Sequence, residues 1–405
     1  VTGKLSLFFS CERWSLPRFW GWEDWKGSVS SQKSGDLPAA YSRSFASKEK
    51  RKMATEKRRF FSTQLMLLIL SAMLVFVMLL AVSFGTTAIP VNIIVQVVLN
   101  GTRLFHFPRL WDPSIEVIIW QLRLPNVVAA AFVGAALAVA GTLFQGMLRN
   151  PLADPFLIGT SSGAAFGASI AFVLPLDSVY GSFFSWTPIF AFVGAIGTVL
   201  FVYAIARMDG RTPVVTLLLA GVVVNAVLIA VQTLVLTLVP HSSSVVQSLY
   251  NWLAGSIEVI SWPPVLVVGG ITIVGILLSL SFANVLDVFA LGEESVSHLG
   301  LHSEWYKFAI VLVASLLTAA AVSISGLIGF VGLVTPHVMR LILGPKHRFL
   351  LPTTALGGAI FLVLADLLAR VLVPATVLPI GIFTALVGAP FFLFLLRHRK
   401  REYAW

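Results

Sequence analysis

Between residues 60 and 400 the chain alternates long apolar runs with short breaks that are polar or carry Pro and Gly. An apolar run of about 20 residues is long enough to cross a bilayer as a helix. The runs predict ten helices, near 64–84, 115–148, 157–174, 188–207, 213–239, 263–283, 306–325, 329–343, 350–373 and 379–397. The eighth is short for a complete span. Two intervening segments are long enough to fold on a surface. Residues 85–114 contain the apolar stretch Val91–Leu99, and residues 240–262 contain Val245–Leu253, so each predicts a helix lying on the bilayer.

Charge placement orients the helices. Cytoplasmic loops of membrane proteins carry an excess of Lys and Arg. With the N-terminus inside, fourteen basic residues, from Lys57 through Arg149, Arg211 and Lys307 to Arg401, fall on the cytoplasmic side. Only Arg103, Arg109, Arg123 and Arg370 fall outside. An even number of spans also returns the basic tail 397–401 to the cytoplasm. Composition agrees: 57% of residues are hydrophobic and 11% charged, against about 25% charged in a soluble domain. The net charge of +10 is not a nucleic-acid signal, because thirteen of the 28 Lys and Arg lie within residues 1–59 and the rest punctuate apolar runs. Residues 1–59 show no sustained period. They are expected to be a tail, disordered or translated from upstream of a start at Met53, ahead of a membrane domain over 60–405. A single cysteine, Cys11, leaves neither an intrachain disulfide nor a Cys-based metal cluster.

Small residues recur at helical spacing as Gly134 and Ala138, Gly163 and Gly167, and Gly194 and Thr198. Such pairs let helices approach closely in lipid. Pro and Gly interrupt the apolar pattern at 150–163 and 326–345. Broken helices at membrane depth are tolerated only inside protein or beside a water-filled cavity, so these breaks point to a pathway. Gly141, Leu148, Pro151 and Gly159 recur at one offset as Gly326, Leu333, Pro336 and Gly344. This is either coincidence in an apolar chain or an inverted repeat.

The sequence lacks a G-x-x-x-x-G-K-S/T phosphate loop and any His/Cys ligand cluster. Acids within the predicted spans are scarce, and Asp366 stands four residues before Arg370. Ion-coupled carriers place ionisable groups inside the bundle, so the scarcity argues against secondary transport and for energy supplied by another subunit. The alternative is an ion-coupled secondary transporter working without an ATPase.

Several stretches together resemble the FecCD-like permeases of binding-protein-dependent ABC importers for iron-siderophores, haem and vitamin B12. They are Leu122-Arg-Leu-Pro-Asn126, Val133 to Gly141, Gln145-Gly146, Asn150-Pro-Leu-Ala-Asp-Pro155, Leu218-Leu-Ala-Gly221 and Leu291 to Gly300. Gly329 to His337, His347 to Pro352, Ala365 to Arg370 and Leu378 to Gly381 complete the set, in family order across about 60–400. The resemblance implies an all-α membrane protein of the type II ABC importer permease fold, with ten transmembrane helices per subunit. It implies a homodimer in the bacterial or archaeal plasma (inner) membrane, with both termini cytoplasmic. Two ATP-binding subunits would attach on the cytoplasmic side and an external substrate-binding protein on the other. The chain itself would be no enzyme and bind no cofactor or metal; ATP and Mg belong to the partner subunit. Iron-siderophore is the first expected cargo, followed by haem and cobalamin, and no nucleic acid is expected.

Residue by residue, the resemblance places the ATPase-coupling element in 284–305, on Leu291, Gly292, Glu293, His298, Leu299 and Gly300; an ordinary solvated loop is the plain alternative. Arg123 and Arg370 would receive acidic side chains of the binding protein, since a guanidinium binds carboxylates bidentately; snorkelling to lipid headgroups is the alternative. Asn150, Pro151 and Leu152 would form a cytoplasmic gate, against a plain Pro-induced helix stop. His337 is expected to be structural rather than a haem ligand. Two departures stand out. Asn126 replaces a family Arg, which moves a docking contact elsewhere, such as to Arg109, and Val377 replaces a family Glu.

Overall fold

A computed structural model describes residues 63–85, 89–101, 107–109, 111–174, 185–238, 243–373 and 378–399. The chain divides into Val1–Phe61 and Ser62–Trp405, and every described residue lies in the second unit. The expected tail and Val377 fall outside the described residues.

All ten predicted helices are present among the described residues. They are α1 (Thr63–Ser83), α3 (Pro113–Leu148), α4 (Thr160–Val173), α5 (Thr187–Ala206) and α6 (Val214–Leu238). They continue with α8 (Trp262–Ser281), α11 (Ser303–Ser325), α12 (Val331–Leu343), α13 (His347–Val371) and α14 (Ile380–Arg399). The surface stretches form α2 (Val91–Gly101) and α7 (Ser243–Leu253). Two short helices, α9 (Ala283–Phe289) and α10 (Glu293–His298), fill the polar segment before α11. The described residues hold one isolated β-bridge, Met208 to Arg211, and no sheet.

Seven of these helices are long and apolar enough to cross a membrane. At about 1.5 Å per residue, α4 and α12 reach about 20 Å, short of a hydrocarbon core of about 30 Å. Both shortfalls coincide with the Pro/Gly breaks. After α3, Arg149 is left-handed (φ 52°), and a 3-10 turn over Pro155–Ile158 precedes α4. Before α12, Gly326 and Phe330 both have positive φ (64° and 68°). The two breaks meet: a Cβ built on Gly332 would lie 3.2 Å from the Pro155 ring and 2.9 Å from the Leu137 carbonyl.

Helix α3 is the axis of the bundle. Asp112 caps it by accepting from the Ser114 N–H at 2.8 Å, and Pro113 occupies the first turn, where its missing donor costs nothing. A π-turn over Ile118–Arg123 follows, with the Leu124 N–H reaching the Ile119 carbonyl. Pro125 cannot bond back to the preceding turn, and the wider turn accommodates that loss. Of the apolar window of α3, 83% is buried, against 17% for α6. Around α3 pack α8, α11, α12 and α13.

The small-residue pairs are where backbones touch. A Cβ on Gly134 would sit 2.2 Å from the Gly358 carbonyl, and one on Gly358 would sit 2.5 Å from the Ala138 Cβ. Gly163 faces Thr198 and the Gly194 carbonyl in the same way, which joins α4 to α5. Gly146 abuts His347 just as Gly134 abuts Gly358, so α3 and α13 run antiparallel and residues 123 and 370 stand level at the far end. Two polar pairs a heptad apart fasten the sparsely buried α6 to α4: Ser162 donates to Asn225, and Gln232 donates to Ser169 at 2.8 Å.

The single offset of 185 residues does not place matching elements. Gly141 is inside α3 whereas Gly326 caps α11, and Pro151 is in a turn whereas Pro336 is inside α12. In an apolar chain Gly and Pro are the chief punctuation, and a few coincide by chance.

Candidate functional site

At one end of the bundle the segment from α9 to α11 forms a compact projection. Two glycines shape it, Gly292 with φ 122° before α10 and Gly300 with φ 73° after it. The α10 terminus closes with the Gly300 N–H on the Ser297 carbonyl (3.0 Å) and the Leu301 N–H on the Val296 carbonyl (3.2 Å). That pairing needs a left-handed residue at position 300. Glu293 and Glu294 sit in the first turn and His298 in the last, each complementing the helix dipole. Val296 is buried and anchors the helix, while Leu291 (77% exposed) and Leu299 (64%) flank it outward. Lone exposed leucines need no explanation, but two bracketing a short glycine-hinged helix outside the apolar spans form a surface ready to be covered.

The turn at Asn150, Pro151 and Leu152 is its neighbour. The Asn150 side chain accepts from the Leu152 N–H at 2.9 Å, and Asp154 accepts from the Phe156 N–H at 2.8 Å. Arg149 Nη1 comes within 3.9 Å of where a Gly292 Cβ would lie. The Arg149 guanidinium, next in sequence to the expected gate residues, thus lies near Gly292 of the expected coupling segment, more than a hundred residues away in sequence. Burial pushes the Asp154 carboxyl up to about 6, against the Phe156 hydrogen bond that lowers it.

Two further ties at this end were not anticipated. Asp287 on α9 accepts the His347 backbone N–H at 3.0 Å and meets its Nδ1 at 2.6 Å. Burial raises the Asp287 carboxyl, but the hydrogen bonds from His347 and the nearby His347 and Lys346 prevail and hold it below its ordinary value. On α3, Gln145 donates to the Gly332 carbonyl (3.1 Å) and accepts from Arg340 (3.2 Å), which binds α3 to α12. The apolar period carries no trace of either contact. The cue was that Gln145 and His347 both stand in the stretches that carry the family resemblance.

At the opposite end the structure redirects one expectation. Arg123, expected as a docking residue, is 7% exposed and donates to the Val82 carbonyl at 2.7 Å and the Ser83 carbonyl at 3.3 Å. It closes the C-terminus of α1, where the last carbonyls lack helical partners. The π-turn aims it inward. Arg370 is mostly buried and bonds Asp366 one turn earlier. Asn126, the departure from the family's Arg, accepts from the Val259 N–H at 2.7 Å and donates to the Leu122 carbonyl at 2.9 Å. It pins the segment before α8 to α3. Arg109 stands outward at 75% exposure, 4.0 Å from Glu116. His337 is buried beside the Phe391 ring. Among the described residues no group of three or more His, Cys, Asp or Glu is placed to hold a metal ion.

Residues 73–398 match the FecCD transport family. The chain is 46% identical over 287 residues to the cobalamin import system permease protein BtuC of Halobacterium salinarum, covering 71% of this chain and 75% of that one. It is 37% identical over 314 residues to the hemin transport system permease protein HmuU of Yersinia pestis, covering 75% and 91%. A solved structure, described as an inward-facing conformation of a metal-chelate type ABC transporter, superposes with a TM-score of 0.69 at 29% identity. It covers 83% of this chain and 99% of that one.

Proposed function

The chain belongs to the FecCD transport family, and on that premise we propose that its α9–α11 projection receives an ATP-hydrolysing subunit whose motion opens a path for a metal chelate. The chain is a membrane-spanning permease subunit of an ABC importer for an iron chelate, haem or cobalamin, and is itself no enzyme. The observation that carries the docking reading is the pair Leu291 and Leu299, exposed on either side of a helix fixed by Gly292 and Gly300. A short surface helix seated in a partner's groove transmits rigid-body motion. ATP and Mg belong to that partner.

Asn150, Pro151 and Leu152 follow Arg149, whose guanidinium approaches Gly292, and would gate the path. The substrate-binding protein would dock at the opposite end, through Arg370 and the exposed Arg109 rather than the buried Arg123. The excess of basic residues at the coupling end supports a cytoplasmic position for that end. The outward row Val215, Leu219, Val222 and Val223 on α6 fits burial in lipid or against a second copy in a homodimer. Relatives at 46% and 37% identity serve different cargoes, cobalamin and hemin, and within the metal-chelate class the binding protein would set the cargo of this chain.

The test is association. The chain, carried in nanodiscs, is mixed with a candidate P-loop ATPase subunit, and the pair Leu291→Ser with Leu299→Ser is compared with the unchanged chain. Binding that weakens about a hundredfold, at two buried leucine contacts of about 1.5 kcal/mol each, is the expected result. Undiminished binding would remove the projection from the interface.

A further inference from the structure

Lys307, in the second turn of α11, is 4% exposed. An ammonium buried to that degree must be paired. Its Nζ bonds Glu293 in the first turn of α10, Glu304 at 2.8 Å one turn back on α11, and the Thr212 carbonyl at 3.2 Å in the loop before α6. Glu304 also accepts the Thr212 N–H at 2.9 Å. One cation therefore joins the consecutive helices α10 and α11 to the 212 loop, 95 residues earlier in the chain. α10 itself has only six residues, far too few to hold its place by helical propensity. What it rests on is the buried Val296 and this ion cluster. α11, by contrast, packs against α3, α5 and α8, so whatever moves α11 moves the bundle.

From this the geometry points to Lys307 as a positioning residue: it locks α10 to α11 and to the 212 loop, so that displacement of α10 is delivered to the bundle instead of being absorbed at the Gly292 and Gly300 hinges. The inference rests on the coupling reading above and names the side chain through which coupling passes. Three donors on a compact ammonium serve three acceptors. Arg can preserve charge and several bonds, whereas Met preserves volume and neither. Glu293 is the arm that reaches α10, and since its side chain is partly exposed, Glu293→Gln strips the charge from that arm alone, leaving at most a weaker neutral hydrogen bond, without opening a cavity.

Two readouts decide the matter. In the full chain in nanodiscs, without partner, amide exchange over residues 293–301 is expected to rise about tenfold in Lys307→Met and in Glu293→Gln, and to stay near the unchanged chain in Lys307→Arg, while 310–325 is unaltered. In the complex reconstituted with its ATPase and binding protein, cobalamin, haem or ferric citrate accumulated per ATP hydrolysed is expected to fall about tenfold in the first two variants and recover in Lys307→Arg. A merely structural role would lower hydrolysis and uptake together and leave their ratio unchanged, which overturns the inference. Unchanged exchange over 293–301 overturns it as well. Should Lys307→Met fail to fold, Glu293→Gln decides alone. If the unchanged chain binds no ATPase, the coupling reading fails and the exchange readout still judges whether Lys307 holds α10.

Discussion

Gly358→Ala probes how closely α3 and α13 are packed. The added methyl would lie 2.3 Å from the Gly134 carbonyl oxygen and 2.5 Å from the Ala138 Cβ, where comfortable separations are about 3.5 Å. The obstacle is backbone on a facing helix, so no rotamer change relieves it, and the two helices must part by about 1 Å. Overpacking of this kind costs about 1–3 kcal/mol. The upper end applies here, because a gap of that size forfeits a quarter to a half of each dispersion contact along the pair. Against this, Ala is about 1 kcal/mol better than Gly inside a helix. The net loss is about 2 kcal/mol, or a fall of about 5 °C in Tm. Gly197→Ala on α5 is the matched control, since nothing lies within 4 Å of its Cβ position, and it should keep or raise Tm. Thermal unfolding in detergent, followed by Trp fluorescence, gives both values. If Gly358→Ala proves as stable as Gly197→Ala, the close crossing of α3 and α13 is refuted.

Asp154 holds its proton up to about 6 in the folded protein and near 3.8 when unfolded. The folded chain therefore binds the extra proton between those values, and stability falls by up to about 3 kcal/mol as pH rises through that window, then levels above it. Asp154→Asn keeps an acceptor for the Phe156 N–H, and its Tm should be flatter from pH 4 to 6.5; parallel curves would contradict the assignment. Asp287→Ala removes the acceptor at the first turn of α13 and should cost about 1 kcal/mol at neutral pH, with faster exchange at residues 347–350; unchanged exchange there would show that the contact carries no stability. Arg123→Met strips the donor from the last carbonyls of α1 and should cost about 2 kcal/mol, read as a lower Tm; a neutral result would return Arg123 to the list of free surface cations.

Helix number and position were legible because each span is long, continuous and bounded by charge, Pro or Gly, and lipid permits little else. The Gly134, Gly163 and Gly194 contacts were legible for the same reason: among apolar residues, only small ones at helical spacing let backbones meet. The coupling segment was expected from the resemblance over Leu291 to Gly300, with an ordinary solvated loop as the plain reading of the same residues. What escaped notice depends on tertiary placement. Arg123 reads as an exposed cation at a helix end, and only in the fold does it turn inward onto the Val82 and Ser83 carbonyls. Lys307 reads as a loop-proximal charge, and its three partners converge only once α10, α11 and the 212 loop are folded together. Asn126 looks like a lost contact until Val259 is seen to donate to it. Periodicity reports which face is buried, not which distant polar group waits there.

On the proposed function, this chain conducts a metal chelate inward at the expense of ATP hydrolysed by a partner docked on α10. The most direct measurement is uptake into liposomes holding the chain with its ATPase, given binding protein loaded in turn with a ferric siderophore, haem and cobalamin. Accumulation of one cargo that requires ATP on the ATPase side, and that disappears with the Leu291→Ser and Leu299→Ser pair, is the predicted result. Accumulation that proceeds without the ATPase and follows a proton or sodium gradient would contradict it.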